Sequence, residues 1–174
     1  MTLHKSLTLM AAVFLAGTLS AADAGRKSAT AELKDANGQT VGHAKFKQGK
    51  NAVLLTVTAT NLPAGEHAIH VHAVGKCEAP DFKTAGGHFN PENKKHGLLN
   101  PEGHHAGDMA NFRVRASGKG AYRATLPGVT LEGSGANSLF HEGGTALVVH
   151  EKADDMMTDP AGNAGTRIAC GPIQ

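Results

Sequence analysis

The chain has no tryptophan, one tyrosine and six phenylalanines among 174 residues, against 22 glycines. So few aromatics and so many glycines point to a chain of many turns. The formal net charge is only +2, which excludes a strongly basic nucleic-acid-binding protein. Beyond the N-terminus no stretch sustains a 3.6-residue apolar period, so helical bundles are excluded. There are two cysteines, Cys77 and Cys170. Neither lies near the N-terminal apolar run, which excludes a bacterial-type lipid anchor. That run, SLTLMAAVFLAGTLS, falls short of the roughly 20 residues a spanning helix needs.

What is present is histidine. There are eleven, and seven fall between His67 and His105. The N-terminus reads as a signal peptide over residues 1–24. MTLHK is a positive n-region, the apolar run follows, and Ala22-Asp23-Ala24 is a small-x-small cleavage site. A membrane anchor or a buried helix is the alternative. The remaining residues, 25–174, suffice for a single domain with its own core. Export makes a Cys77–Cys170 disulfide the default expectation, with two free buried thiols as the alternative. In the chain-entropy account a loop of about 93 residues closed this way is worth about 4–5 kcal/mol.

The mature part alternates short β-compatible runs with turn signals. ATAELKD and QTVGHAKF flank Asn37-Gly38, a hairpin signal. In NAVLLTVTATNL, residues Val53, Leu55, Val57 and Ala59 share one face at period two. HAIHVHAV reads as one strand, NFRVRA and AYRATLP as a second hairpin around Ser117-Gly118-Lys119-Gly120, and TALVVHEK and RIACGPI as late strands. The expected fold is all-β, a sandwich or flattened barrel. Two segments break the rhythm, Gly75–Ala110 and Ala153–Thr166. Long loops without secondary structure tend to be functional, and ordering them costs about 1–2 kcal/mol per residue. A metal and the Cys77 crosslink are the candidates to offset that cost.

His70 and His72 flank Val71 on an expected strand. Residues i and i+2 share a face, roughly 6.5–7 Å apart at Cα, so two imidazoles there converge on one ion. Two surface histidines would look the same. His150 closes the run ALVVH, where a satisfied core histidine is the alternative. His88, His96 and His105 are followed by Asp108. Three imidazoles and a carboxylate form a complete tetrahedral zinc set, and metal-binding energy is folding energy. The alternative is a solvated loop that happens to be rich in histidine. His104 is read as solvent-exposed, Phe89 as core, and Lys94 and Lys95 as surface charges.

From about Ala29 to Gln174 the chain resembles the copper/zinc superoxide dismutases, in their exported bacterial form. The matching stretches are HVH at 70–72, GGHFNP at 86–91, KKHG at 94–97, HAGD at 105–108, LVVHEKADD at 147–155 and GNAGTRIACG at 162–171. The resemblance implies an immunoglobulin-like Greek-key sandwich with two long functional loops. It implies one copper and one zinc per subunit. His70, His72, His88 and His150 would hold copper. His88, His96, His105 and Asp108 would hold zinc, with His88 bridging the two. Asp154 would link a copper histidine (His70) to a zinc histidine (His96), Arg167 would guide the anion, and Cys77 and Cys170 would form the disulfide. His4, His43, His67, His104 and His141 have no counterpart.

The implied activity is disproportionation of superoxide, with Arg167 and His88 catalytic. The implied setting is periplasmic or secreted, as a monomer or homodimer without a stable membrane anchor. Two rivals remain: a metal-binding protein without turnover, and a zinc hydrolase. The second is disfavoured because four protein ligands leave zinc no place for water. One departure stands out: after Asp155 the chain reads MMTDPAGNAG, without the lysines and glutamates of animal enzymes, so steering by that loop is in doubt.

Overall fold

A computed structural model describes residues 25–174. The expected signal peptide, residues 1–24, lies outside the described residues. Nine strands follow one another: β1 (Ser28–Lys34), β2 (Thr40–Gln48), β3 (Ala52–Ala59), β4 (Gly65–His67), β5 (Ile69–His72), β6 (Phe112–Val114), β7 (Gly120–Pro127), β8 (Ala146–His150) and β9 (Arg167–Pro172). A single 3₁₀ turn, Lys83–Ala85, is the one helical element among the described residues. The strands join in the order β4-β6-β7-β3-β2-β1-β9-β8-β5, every pair antiparallel. The result is an all-β, nearly closed barrel.

The Asn37-Gly38 hairpin forms as expected. Gly38 takes φ 78°, and Asp35 Oδ1 accepts the N–H groups of Asn37 and Gln39, each at 2.9 Å. Period two also holds: Val53, Leu55, Val57 and Ala59 are all buried in the main core with Leu33, Phe46, Ile69 and Val71. HAIHVHAV, expected as one strand, is two. Ala68 leaves the ladder to donate its N–H to Lys152 O (2.8 Å) and to accept from His150 N (2.9 Å). The chain turns a corner there, so β4 pairs β6 while β5 pairs β8.

β5 and β8 are buried on both faces. Ile69, Val71, Leu147 and Val149 face the barrel core. The opposite face of these strands carries His70, His72 and His150, and with them Ala146 and Val148, which join Phe82, Ala85 and Cys170 in a second small core. The disulfide Cys77–Cys170, with Cα atoms 5.6 Å apart, fastens the first long loop over that face. The metal-binding candidates therefore sit outside the barrel and beneath its loops.

Candidate metal centre

Each element delivers its donors for a local reason. On β5 the alternation turns His70 and His72 to the same side, away from Val71. On β8 the alternation turns His150 to that side too, and a register shift that leaves Ile168 of β9 unpaired sets it opposite Arg167. The first loop adds its histidines by pairing with the free edge of β5. Ala73 N–H donates to Gly87 O (2.9 Å), Phe89 N–H to Val71 O (2.8 Å) and Val71 N–H to Gly107 O (3.0 Å). That backbone ladder seats His88 across from His72 and brings His105 and Asp108 alongside.

Two sets of donors converge. His70, His72, His88 and His150 form one, and His88, His96, His105 and Asp108 the other; in each, all ligand atoms lie within 4.8 Å of one another. His88 belongs to both. Its Nδ1 lies 2.9 Å from Asp108 Oδ1 and 3.4 Å from His105 Nδ1, while its Nε2 is buried without a partner. A third group, His70, His96 and Asp154, is a hydrogen-bonded link. Both rings donate through Nε2 to Asp154, at 2.8 and 3.0 Å, and their Nδ1 atoms are left orphaned.

The hydrogen bonds decide which nitrogen each ring offers. His72 Nδ1 donates to Gly86 O at 2.9 Å and His150 Nδ1 faces Gly165 O at 3.4 Å. Both Nε2 atoms then carry bare lone pairs, and they face each other at 3.4 Å. Two lone pairs so placed repel unless a cation lies between them. Buried polar atoms are ordinarily paired. Of the four buried side-chain atoms without a partner among the described residues, three are His70 Nδ1, His88 Nε2 and His96 Nδ1. His96 Nδ1 comes within 3.1 Å of Asp108 Oδ2 without hydrogen-bond alignment, as two ligands of one ion would. The donor chemistry agrees: four imidazoles suit copper, and three imidazoles with a carboxylate suit zinc. These residues fit both ions.

Electrostatics divides the two sets. Burial, with His70 and Asp108 pulling in opposite directions, brings His88 down to about 4. Burial and the neighbouring His70 and His88 bring His150 down to about 3. Burial and His88 hold His72 well below its ordinary value. These rings are neutral at neutral pH and free to ligate. His96 goes the other way. Burial would lower it, but Asp108 and Asp154 together outweigh burial and raise it to about 9. Burial would raise Asp108, yet the adjoining His105, His88 and His96 rings and the Gly97 N–H hold it far below the carboxylate range. At neutral pH Asp108 is thus ionised and its charge is offset by protonated His96, whose proton an entering cation would replace.

Arg167 is half-buried beside the first set. Its Nη1 donates to Phe82 O and its Nη2 to Gly86 O, both at 2.6 Å. Gly86 O therefore joins Arg167 to His72. Arg167 lines a cleft of about 490 Å³ with Pro80, Asp81, Lys83, Gly165 and Thr166. Lys83 pairs with Asp81 at 2.8 Å on its lip. Lys94 and Lys95 are surface charges as expected, paired with Glu92 and Asp159, and Phe89 is core.

Several contributors stand outside the expected site residues. Asn111 grips the Asp154 backbone from both sides, Nδ2 to Asp154 O at 2.9 Å and Oδ1 from Asp154 N at 2.8 Å. Gly162, at φ +60°, lies so close to the Asp154 carboxylate that any Cβ would strike it and stand 2.8 Å from His96 Nε2. His67 is buried, with its ring nitrogens 2.9 Å from His150 O and 2.9 Å from Pro63 O. His104 departs from its expected exposure. It is half-buried, because its Nδ1 turns back onto His105 O at 2.7 Å.

Comparison with known proteins agrees with this geometry. The family model described as copper/zinc superoxide dismutase (SODC) matches residues 40–173. The chain is 52% identical over 145 residues to "Superoxide dismutase [Cu-Zn] 1" of Aquifex aeolicus, covering 83% of this chain and 86% of that one. It is 40% identical over 144 residues to "Superoxide dismutase-like protein YojM" of Bacillus subtilis, covering 82% and 74%. A crystal structure of a SOD-like protein from Bacillus subtilis superposes with a TM-score of 0.79 at 38% identity, over 83% of this chain and 97% of that one. With its fold, its paired histidine sets and these relatives, the chain belongs to the copper/zinc superoxide dismutase family.

Proposed function

We propose that this chain is an active superoxide dismutase, converting two superoxide ions and two protons to dioxygen and hydrogen peroxide. His70, His72, His88 and His150 would hold one copper per subunit, and His88, His96, His105 and Asp108 one zinc. Copper would supply a one-electron redox couple and zinc a redox-inert dication. The observation that carries the reading is the bare Nε2 pair of His72 and His150 beside the orphaned His88 Nε2: donors with no protein partner, all turned to one point.

The chain's own residues have separable tasks. Arg167 presents a guanidinium to an entering anion, and its two bonds to the Phe82 and Gly86 carbonyls keep it in place. His88 takes up a proton at Nε2 and gives it to the product, while Nδ1 stays turned to Asp108. Asp154 orients His70 and His96 by accepting from both, fixing which nitrogen each offers. The carbonyls of Gly86 and Gly165 do the same for His72 and His150.

The test is superoxide removal by protein loaded with copper and zinc, with His150→Ala as the control, alongside metal analysis. Activity above the control, with one copper and one zinc per chain, is the expected result. Wild type no better than the control would leave a metal-holding protein without turnover.

Export with removal of residues 1–24 belongs to the same reading. The Cys77–Cys170 disulfide supports it. No helix among the described residues is long and apolar enough to cross a membrane. N-terminal sequencing of the exported protein should begin near Gly25.

A further inference from the structure

The outer face of β1, β2, β3 and β7 carries an uneven charge. Strand alternation turns Lys45 and Lys47 of β2 and Arg123 of β7 outward, and all three are exposed. The register stacks them in two adjacent rows. Lys45 lies opposite Thr56, which lies opposite Arg123; Lys47 lies opposite Leu54. None of the three cations has a carboxylate within 4.0 Å among the described residues. The acid on this face, Glu32, is already engaged by Thr40 and Lys34. Amid the cations stands Leu54, 46% exposed and one of four large apolar side chains so exposed among the described residues.

We propose that this face docks reversibly on an anionic lipid surface. Like charge opposes a second copy of the same face. A partner that meets three unpaired cations on one sheet face must be negative, and Leu54 calls for an apolar layer beneath the charge. Lipid headgroups over acyl chains offer both. A glycan chain fits less well. No Phe, Tyr or Trp stands on this outer face to stack a sugar ring: Tyr122 of β7 turns inward against Phe112 and donates its hydroxyl to Ala110 O at 2.6 Å. The strand order puts β2 and β3 in the middle of the sheet, while β8 and β5 end it. In a nearly closed barrel the docked face is then on the far side from the histidine sets. The Arg167 cleft would point away from the membrane, open to a diffusing anion.

The inference does not rest on catalysis, so its test reads binding alone. Residues 25–174, which the structure shows closed on their own core, are used because the apolar N-terminal run would itself bind lipid. Co-sedimentation is measured with vesicles of phosphatidylglycerol in phosphatidylcholine and with vesicles of phosphatidylcholine alone. Binding to the anionic vesicles that falls as salt rises is expected, with each of Lys45→Gln, Lys47→Gln and Arg123→Gln weakening it about fivefold. Leu54→Ser should weaken it at every salt concentration. The thermal unfolding midpoint of each variant checks that the fold is kept. Equal binding to both kinds of vesicle, or a triple Gln variant that binds like wild type, overturns the proposal. So does retention on dextran sulfate without vesicle binding, which would assign the face to a glycan.

Discussion

The two halves of the histidine cluster are built in different ways. The proposed copper half takes three donors from strands, His70 and His72 on β5 and His150 on β8. Three of its rings, His72, His88 and His150, are neutral, pushed down by burial and by neighbouring histidines. The proposed zinc half takes every donor from one loop and centres on Asp108, which collects His88, His105 and the backbone N–H of Gly97. Strand donors are held by the barrel's own ladder. Loop donors have only the short ladder along the edge of β5 and are held besides by charge, by Asp154 and by the disulfide. One half is thus positioned by the fold, and the other helps to create the fold of its loop.

The most severe way to break this division is His88→Ala, because His88 alone serves both halves. Metal analysis should show loss of occupancy in both sets, and superoxide removal should fall to the His150→Ala background. Cys77→Ser with Cys170→Ser should come next. It should cost about 4–5 kcal/mol in unfolding free energy, read by denaturant titration, and strike hardest at the disulfide-anchored loop. Asp154→Asn keeps the shape of the link but leaves a poorer acceptor for two imidazole N–H groups. Zinc affinity, by competition with a chelator, should fall roughly 10- to 100-fold. Gly162→Ala should weaken zinc in the same direction, since its Cβ would enter the Asp154 carboxylate. If it does not, the link is less rigid than the structure shows.

The gentlest test uses pH on the metal-free protein. His88 and His150 have folded values near 4 and 3, below the ordinary 6.5. The unfolded chain binds their protons more readily, so the copper half should lose stability as pH falls from about 6.5 towards 3. His96 is raised to about 9. Its contribution is fully present below 6.5 and lost as pH rises through about 9. Denaturant titrations across pH should therefore fall off on both sides of neutrality. His150→Ala should flatten the acid limb, and His96→Ala the alkaline one.

Much of the site was legible in the chain itself. His70-Val71-His72 shows its shared face by period two, and His88, His96, His105 and Asp108 show a zinc set by residue type. The resemblance supplied Arg167 and Asp154. Asn111 and Gly162 were not legible, since an amide gripping a backbone and a missing Cβ look like ordinary loop residues. His104 reads as exposed and is half-buried, because a sequence does not say where a ring folds back on its own chain. The break at Ala68 was hidden because HAIHVHAV has one unbroken strand composition while its two halves pair with different neighbours.

Alternation, turn chemistry and donor type are local properties. By themselves they settled an all-β chain, two long loops in need of anchoring, and the histidines and carboxylates able to bind metal. Which ring nitrogen faces an ion, which carbonyl holds Arg167, and that His88 stands between two donor sets are matters of atoms brought together from segments far apart in sequence. Those were decided only by the tertiary structure, because a hydrogen bond at 2.8 Å depends on where the barrel and the disulfide place its partners.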